Sequence, residues 1–377
     1  MLFIVLLFSD NLSVGLLGSD EYIQDDVRYA TTAKLYAESA QKLIDYSALE
    51  SALDTVETYG THGNGIELWY WIVSVLMLLL GSEVYIRVIN ILFAIVTIKC
   101  IYDICILLYN KKIARFAALL YAVLPYPIIF SCFLYKDQFY TMLTFLLFRK
   151  AFLCAGNVRA WDVILMSFGL VLSQLTRSGV SVIVLAAMLV IIYKQGEYVI
   201  SKFALISFIF AFIGIIGGVA LLSWESIVRK IYAYILAESE AGSSTIGLVE
   251  IKTPLQIYRY PFAFLFALIQ PLNITAILKT WMNFAGLVNI VAIPIALGNF
   301  FYLLNYKINK DYFYWIAQVF YFITILASLG IVRHQYFLQP FMMMAFSCYY
   351  YKIKNRTYLK LFSLAAIVLI FFIWLVC

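Results

Sequence analysis

Charge is scarce in this chain. Only 13% of its 377 residues are Asp, Glu, Lys or Arg, about half the share carried by soluble domains. Histidine is scarcer still: His62 and His334 are the whole supply, too few for a histidine-built metal cage. The six cysteines (Cys100, Cys105, Cys132, Cys154, Cys348 and Cys377) lie in or beside apolar runs and include no Cys-x-x-Cys pair. They read as small buried hydrophobes, not as disulfides or metal ligands. Glycine-rich nucleotide loops, Walker motifs, His-Glu-x-x-His and Ser/His/Asp signatures are absent, so energy for chemistry has to arrive in an activated substrate, not as cytoplasmic ATP. No polar stretch is long enough for a separate soluble domain; the longest run roughly over 18–65 and 224–260.

What is present is apolar: 64% hydrophobic residues, 18% aromatic and a mean hydropathy of +0.92. No soluble fold hides that much apolar surface, which predicts an integral protein of the cell membrane. The net charge of +6 does not point to nucleic acid, because the cations fall in short clusters between apolar runs, as in orientation-fixing cytoplasmic loops.

Windows able to cross a ~30 Å core sit near 1–17, 84–109, 113–133, 138–154, 160–176, 179–193, 203–223, 283–304, 312–331, 335–351 and 358–376. The opening segment is weak, with Ser9-Asp10-Asn11 in its middle, and is read as a first helix because a basic start and a signal-peptide cleavage site are both lacking. The run 66–81 opens with Leu68-Trp69-Tyr70-Trp71 and is read, like 261–281, as a juxtamembrane helix. The expected fold is therefore all-α: a polytopic membrane protein of about eleven spans, with a first external loop (18–65) bearing juxtamembrane helices. Three parts follow in order, namely a membrane module over 1–223, an external loop with an interfacial helix over 224–282, and C-terminal spans over 283–377.

On this topology Lys111-Lys112/Arg115, Arg149-Lys150/Arg159, Lys194/Lys202, Lys307/Lys310 and Lys352/Lys354/Arg356/Lys360 share the cytoplasmic side. The external side collects Asp25, Asp26, His62, Glu67, Arg87, Lys136, Asp137, Arg177, Arg333 and His334. Ionisable residues at membrane depth cost several kcal/mol unless paired or wet, which makes them functional candidates. Asp20, Glu21, Asp25 and Asp26 crowd the exit of the first segment. Asp137, beside Lys136, is expected to face them across an outward-opening cavity, as a general base or a divalent-cation ligand, against the alternative of a solvated turn with a local ion pair. Arg177 in Leu175-Thr176-Arg177-Ser178-Gly179 suits a lipid phosphate or is a turn arginine snorkelling to headgroups. Arg333-His334 sets two cationic-capable groups at one span end.

The run Gly18-Ser19-Asp20-Glu21-x-x-x-Asp25-Asp26-x-x-Tyr29-Ala30 resembles the first external loop of GT-C glycosyltransferases, multispanning enzymes that include protein mannosyltransferases and aminoarabinose transferases. Gly65-Ile66-Glu67-Leu68-Trp69-Tyr70-Trp71, then Gly81-Ser82 and Arg87, are similar to the stretch where that family has a tryptophan segment, a Gly-x-Ser turn and an arginine. The basic Lys111-to-Arg115 loop, Leu124-Pro125, Lys136-Asp137, Leu175-to-Gly179 and Arg333-x-x-Tyr336-x-x-x-Pro340 resemble its later landmarks. The resemblance implies inverting transfer of a hexosyl or pentosyl unit, outside the membrane, from a polyprenyl-phosphate donor to a glycan, lipid or protein acceptor, in cell-surface polysaccharide or glycoconjugate assembly. It implies that Asp25 or Asp26 is the base and Asp137 the second acid, with Arg177 and Arg333 on the donor phosphate, assisted by Lys136 and His334. Glu21, Tyr29, His62 and Glu67 would line the acceptor side. The family's Glu-Lys before a Pro-Pro pair has no counterpart at Asn64-Gly65, so its lysine role falls to Lys136 or His62. No cofactor is implied beyond an optional divalent cation.

Two other readings compete. A repeat-unit polymerase for O-antigen or capsule would use Arg177 and Arg333 on lipid pyrophosphate, but has less use for an early Asp pair. A lipid-linked oligosaccharide flippase would show internal repeats and broken mid-membrane helices, which this sequence does not.

Overall fold

The computed structural model describes residues 20–56, 68–154, 159–176, 180–195, 292–304, 313, 316, 339–353 and 356–376, and those residues are all helix and connection. The first loop begins with α1 (Asp20–Ser39) and α2 (Tyr46–Val56). Then come α3 (Leu68–Leu80), α4 (Glu83–Leu108), α5 (Lys111–Val123), α6 (Pro125–Cys132) and α7 (Lys136–Cys154). They are followed by α8 (Ala160–Thr176), α9 (Val180–Gln195), α10 (Ala292–Leu304), α11 (Gln339–Lys352) and α12 (Thr357–Val376).

Local chemistry sets the boundaries. Gly81, at φ +69°, makes the turn between α3 and α4 that a side chain would strain. Ser82 then caps α4 by accepting from the Val84 N–H, with Glu83 in the positive first turn. Asn110 caps α5, its side-chain oxygen taking the Lys112 and Ile113 N–H groups at 3.0 Å. Pro125 stops α5: Leu124 is extended, and Pro125 opens α6 where its missing N–H costs nothing. The window expected as one span over 113–133 is therefore two short helices. The helix expected over 84–109 forms as α4, and among the described residues it is the one long and apolar enough to cross a membrane. The run 66–81 becomes the short apolar α3.

The first-loop helices dock as a unit. Tyr29, Ala33 and Tyr36 of α1 and Leu49 and Leu53 of α2 pack with Trp69, Tyr70 and Val73 of α3. Tyr36 Oη donates to Leu43 O at 2.8 Å and accepts from the Asp45 N–H at 3.0 Å, pinning the α1–α2 connection. The Ser47 hydroxyl, and then the Gln41 N–H, hold the Asp45 carboxyl below the usual carboxylate range. A second core runs through α4, α5, α7, α9 and α11, rich in phenylalanine; Phe145, Phe148 and Phe313 surround Phe341 with ring centroids 4.9–5.9 Å apart. The described cysteines are free and buried in the bundle, as expected of small hydrophobes.

The outer surface inverts the soluble pattern. α8 buries Asp162, Met166, Gly169, Ser173 and Thr176 at helical spacing, all but Met166 small or polar. Its outward stripe is Trp161, Ile164, Phe168, Val171 and Leu175, with Trp161 64% and Phe168 61% exposed. α12 shows Tyr358, Leu361, Phe362, Leu364 and Val368 in the same way.

The bundle also has two chemically different ends. At one lie Asp26, Glu83 and Arg87, joined by ion pairs. At the other, Asp103 bridges Lys99 and Arg149, both at 2.6 Å, and Asp162 pairs with Lys150. The starts of α5 and α12 and the ends of α9 and α11 add Lys111, Lys112, Arg115, Lys360, Lys194, Lys352 and Arg356 to that second end.

Candidate active site

The centre of the first end is a stretch that is not helical. Phe133, Leu134 and Tyr135 run between α6 and α7, buried on all sides. Their backbone groups have no helix to pair with, and each one left unpaired inside the bundle costs about 1–3 kcal/mol. Side chains from three helices satisfy them. Asp26 of α1 accepts the Leu134 N–H at 2.6 Å. Trp69 of α3 donates Nε1–H to Leu134 O at 2.7 Å. Asn90 of α4 donates to Phe133 O at 2.5 Å and to Tyr135 O at 3.4 Å, and Arg87, one turn earlier, donates to Cys132 O at 3.0 Å. Phe133 and Tyr135 stack at 5.2 Å, and Trp69 stacks on Phe139 at 5.6 Å.

Charge closes the arrangement. Arg87 grips Asp26 with both terminal nitrogens, Nη1 to Oδ1 at 3.1 Å and Nη2 to Oδ2 at 2.8 Å. Both side chains are almost fully buried, at 2% and 4% exposure. Glu83 lies 3.6 Å from the same guanidinium, and Lys34 sits 3.8 Å from Glu83. The bidentate geometry is the strong, oriented form of a charge-assisted pair. Three donors converge on Asp26, so its oxygens are committed to holding α1 against α4 and the 133–135 segment.

That segment leads directly into Lys136 and Asp137, the first two residues of α7. Asp137 is buried in the first helical turn, where the helix dipole favours its charge. It lies three positions after Leu134, a reach of at most about 11 Å, so it stands at the same end of the bundle as Asp26. Lys136 is partly exposed. Tyr29 is buried with its ring 4.8 Å from Tyr70, fastening α1 to α3. Asp25 and Glu21 belong to α1 by backbone. His62, Glu67, Arg177, Arg333 and His334 lie outside the described residues.

The structure therefore brings together Asp26, Tyr29, Lys136 and Asp137 from the expected set. It adds Asn90 and Trp69, and it gives Arg87, which the sequence reading had placed on the external side without a role, a buried partner in Asp26. One signal could have found the Arg87 pairing: an arginine within the apolar window 84–109 needs a buried counter-ion, and the first loop holds the nearest acids. Asn90, one turn on, follows from the same argument about polar groups on an apolar helix. Among the described residues no three of His, Cys, Asp or Glu gather as a metal cage, and Asp26 has no oxygen lacking a protein donor.

Comparison with protein-family models, with curated proteins and with solved structures finds no match to this chain.

Proposed function

We propose that this chain is an integral-membrane glycosyltransferase of about eleven spans, moving a sugar from a polyprenyl-phosphate carrier to an acceptor on the extracytoplasmic face. The observation that carries the reading is the coupling of the acidic first-loop helix to Lys136-Asp137 through the Asp26–Arg87 pair and the 133–135 segment. It supports a site in which two acidic stretches, far apart in sequence, share one end of the bundle. Membrane residence is supported by the apolar outward stripes of α8 and α12, and by cations dominating the opposite end, as short cytoplasmic loops require.

In this reading the acceptor hydroxyl attacks the anomeric carbon in line, the sugar–phosphate C–O bond breaks, and polyprenyl phosphate leaves with the bonding electrons. The hydroxyl proton passes to a carboxylate, a role worth about 10²–10⁴ in rate. Asp26, saturated by Arg87 and the Leu134 N–H, is the anchor. Its neighbour Asp25 takes the base role and Asp137 orients the acceptor. Lys136, with Arg177, Arg333 and His334, meets the donor phosphate, and Glu21, Tyr29, His62 and Glu67 border the acceptor. No step passes through a divalent cation.

The test uses the full chain in proteoliposomes with polyprenyl-phosphate sugars, scoring release of polyprenyl phosphate alongside donor binding. Asp25→Ala and Asp137→Ala should each lose turnover by about 10²-fold or more and keep donor binding. Unchanged turnover in both variants, or donor sugar crossing the bilayer unreacted at an undiminished rate, would sink the transferase reading and favour a flippase.

A further inference from the structure

At the end opposite Asp26, the cations divide into two classes. Lys99, Arg149 and Lys150 are neutralised by Asp103 and Asp162. Lys111, Lys112, Arg115, Lys352 and Arg356 meet no carboxylate among the described residues. Orientation by positive charge requires only that such residues lie on one side; it does not require loops more than 230 positions apart to meet. Here they do, because α11 packs along α5, bringing the start of α5 beside the exit of α11.

The meeting place is aromatic. Phe116 has Tyr350 at 5.2 Å, Tyr351 at 5.7 Å and Phe346 at 6.1 Å. Lys352 Nζ stands 5.0 Å over the Tyr109 ring. The Arg356 guanidinium lies 3.7 Å from the Tyr350 ring centre, and its Nε donates to Ile353 O at 3.3 Å. That stack and hydrogen bond fix the guanidinium plane before any ligand arrives, and among the described residues no protein acceptor takes its two terminal nitrogens. A planar fork with its terminal nitrogens unengaged fits a phosphate diester. Tyr351 and Tyr358 are exposed beside it, the placement favoured by tyrosine at headgroup level.

We infer that the start of α5 (Lys111, Lys112, Arg115) and the exit of α11 (Lys352, Arg356) form a docking site for the headgroups of anionic phospholipids in the leaflet at that end. The inference rests on the membrane reading above and is independent of the sugar chemistry at the other end. Charge complementarity selects an anionic lipid over a zwitterionic one, and the stacked arginine selects a phosphate bound at a defined place over a diffuse counter-ion cloud.

The experiment takes the purified full chain in neutral detergent and titrates it with short-chain phosphatidylglycerol, phosphatidylcholine or inorganic phosphate, reading binding by thermophoresis and stability by thermal unfolding. The wild type should bind and be stabilised by phosphatidylglycerol, with little response to phosphatidylcholine or to inorganic phosphate at equal concentration. K352Q/R356Q should bind phosphatidylglycerol about 25-fold more weakly at low salt, about fivefold for each charge removed. R356K, which keeps the charge and loses the fork, should fall between the two and guards against a folding defect in the double variant. Equal affinity of wild type and K352Q/R356Q overturns the inference, as does equal binding of the two lipids or a response to phosphate alone. Recovery of the chain in the soluble fraction after a carbonate wash overturns the membrane reading and this site together; retention in the membrane without lipid preference overturns this site alone.

Discussion

The Asp26–Arg87 pair is the contact whose removal should be felt most. Asp26→Asn leaves a guanidinium buried at 2% exposure with Glu83, 3.6 Å away, as its one remaining counter-charge among the described residues. Breaking a buried pair from one side costs about 3–5 kcal/mol, because the surviving charge stays desolvated. Glu83 offsets part of that, which puts the expected loss near 3 kcal/mol, roughly a 150-fold change in the folding equilibrium. Arg87→Met strands the Asp26 carboxylate on the Leu134 N–H alone and frees Cys132 O, so it should cost at least as much. The double variant D26N/R87M buries no charge, and its Asn side chain can still accept from Leu134. Its loss should fall short of the sum of the single losses by about 2–3 kcal/mol. The assay is a double-mutant cycle on the full chain in mild detergent, unfolding followed by tryptophan fluorescence. Single losses below about 1 kcal/mol that simply add are the behaviour of an exposed pair, and would refute the claim that this contact fastens the first loop to the bundle.

Trp69→Phe keeps the stack on Phe139 but strands Leu134 O, an expected cost of about 1–3 kcal/mol, read in the same unfolding assay. Asp45 gives a pH signature: its folded pKa is depressed, so its contribution is fully present above the unfolded value of about 3.9 and disappears as pH falls through the folded value. Amide exchange at Gln41, whose N–H donates to Asp45 at 3.2 Å, should accelerate in that acid window in the wild type and be independent of pH there, after intrinsic correction, in Asp45→Asn. Gly298→Val places a branched side chain where even a Cβ meets the Phe346 ring; overpacking of about 1–3 kcal/mol should appear as a lowered unfolding midpoint, partly restored by shortening Phe346 to Leu.

Much of the fold was legible because helix signals are local. The window 84–109 carried an apolar run, and α4 formed there with bounds one residue away. The window 160–176 appears as α8 with the same bounds. The window 113–133 was misread because summed hydropathy ignores a backbone stop: Pro125 disfavours the helical conformation at Leu124, which is extended. At the site, the expectation that Asp26 and Asp137 share one side came from counting spans and cations, and both stand at one end of the bundle. Asp26's partner did not follow, because an ion pair 61 positions apart depends on how α1 lies against α4.

Composition alone led to the expectation of a membrane protein, since 64% of the residues are hydrophobic and only 13% charged, and the described residues are all-α. Its proline, glycine and capping residues also set the boundaries between α3 and α6, at Gly81, Ser82, Asn110 and Pro125, because those effects act within one turn. Tertiary packing decided what each charge is for. It turned Asp26 from a candidate base into a carboxylate held by three donors, gave Arg87 a buried role, and joined two remote basic loops around one aromatic cluster. These outcomes depend on distances of a few ångströms between segments that the sequence keeps tens to hundreds of residues apart, and Coulomb and hydrogen-bond energies in a buried setting are decided by those distances.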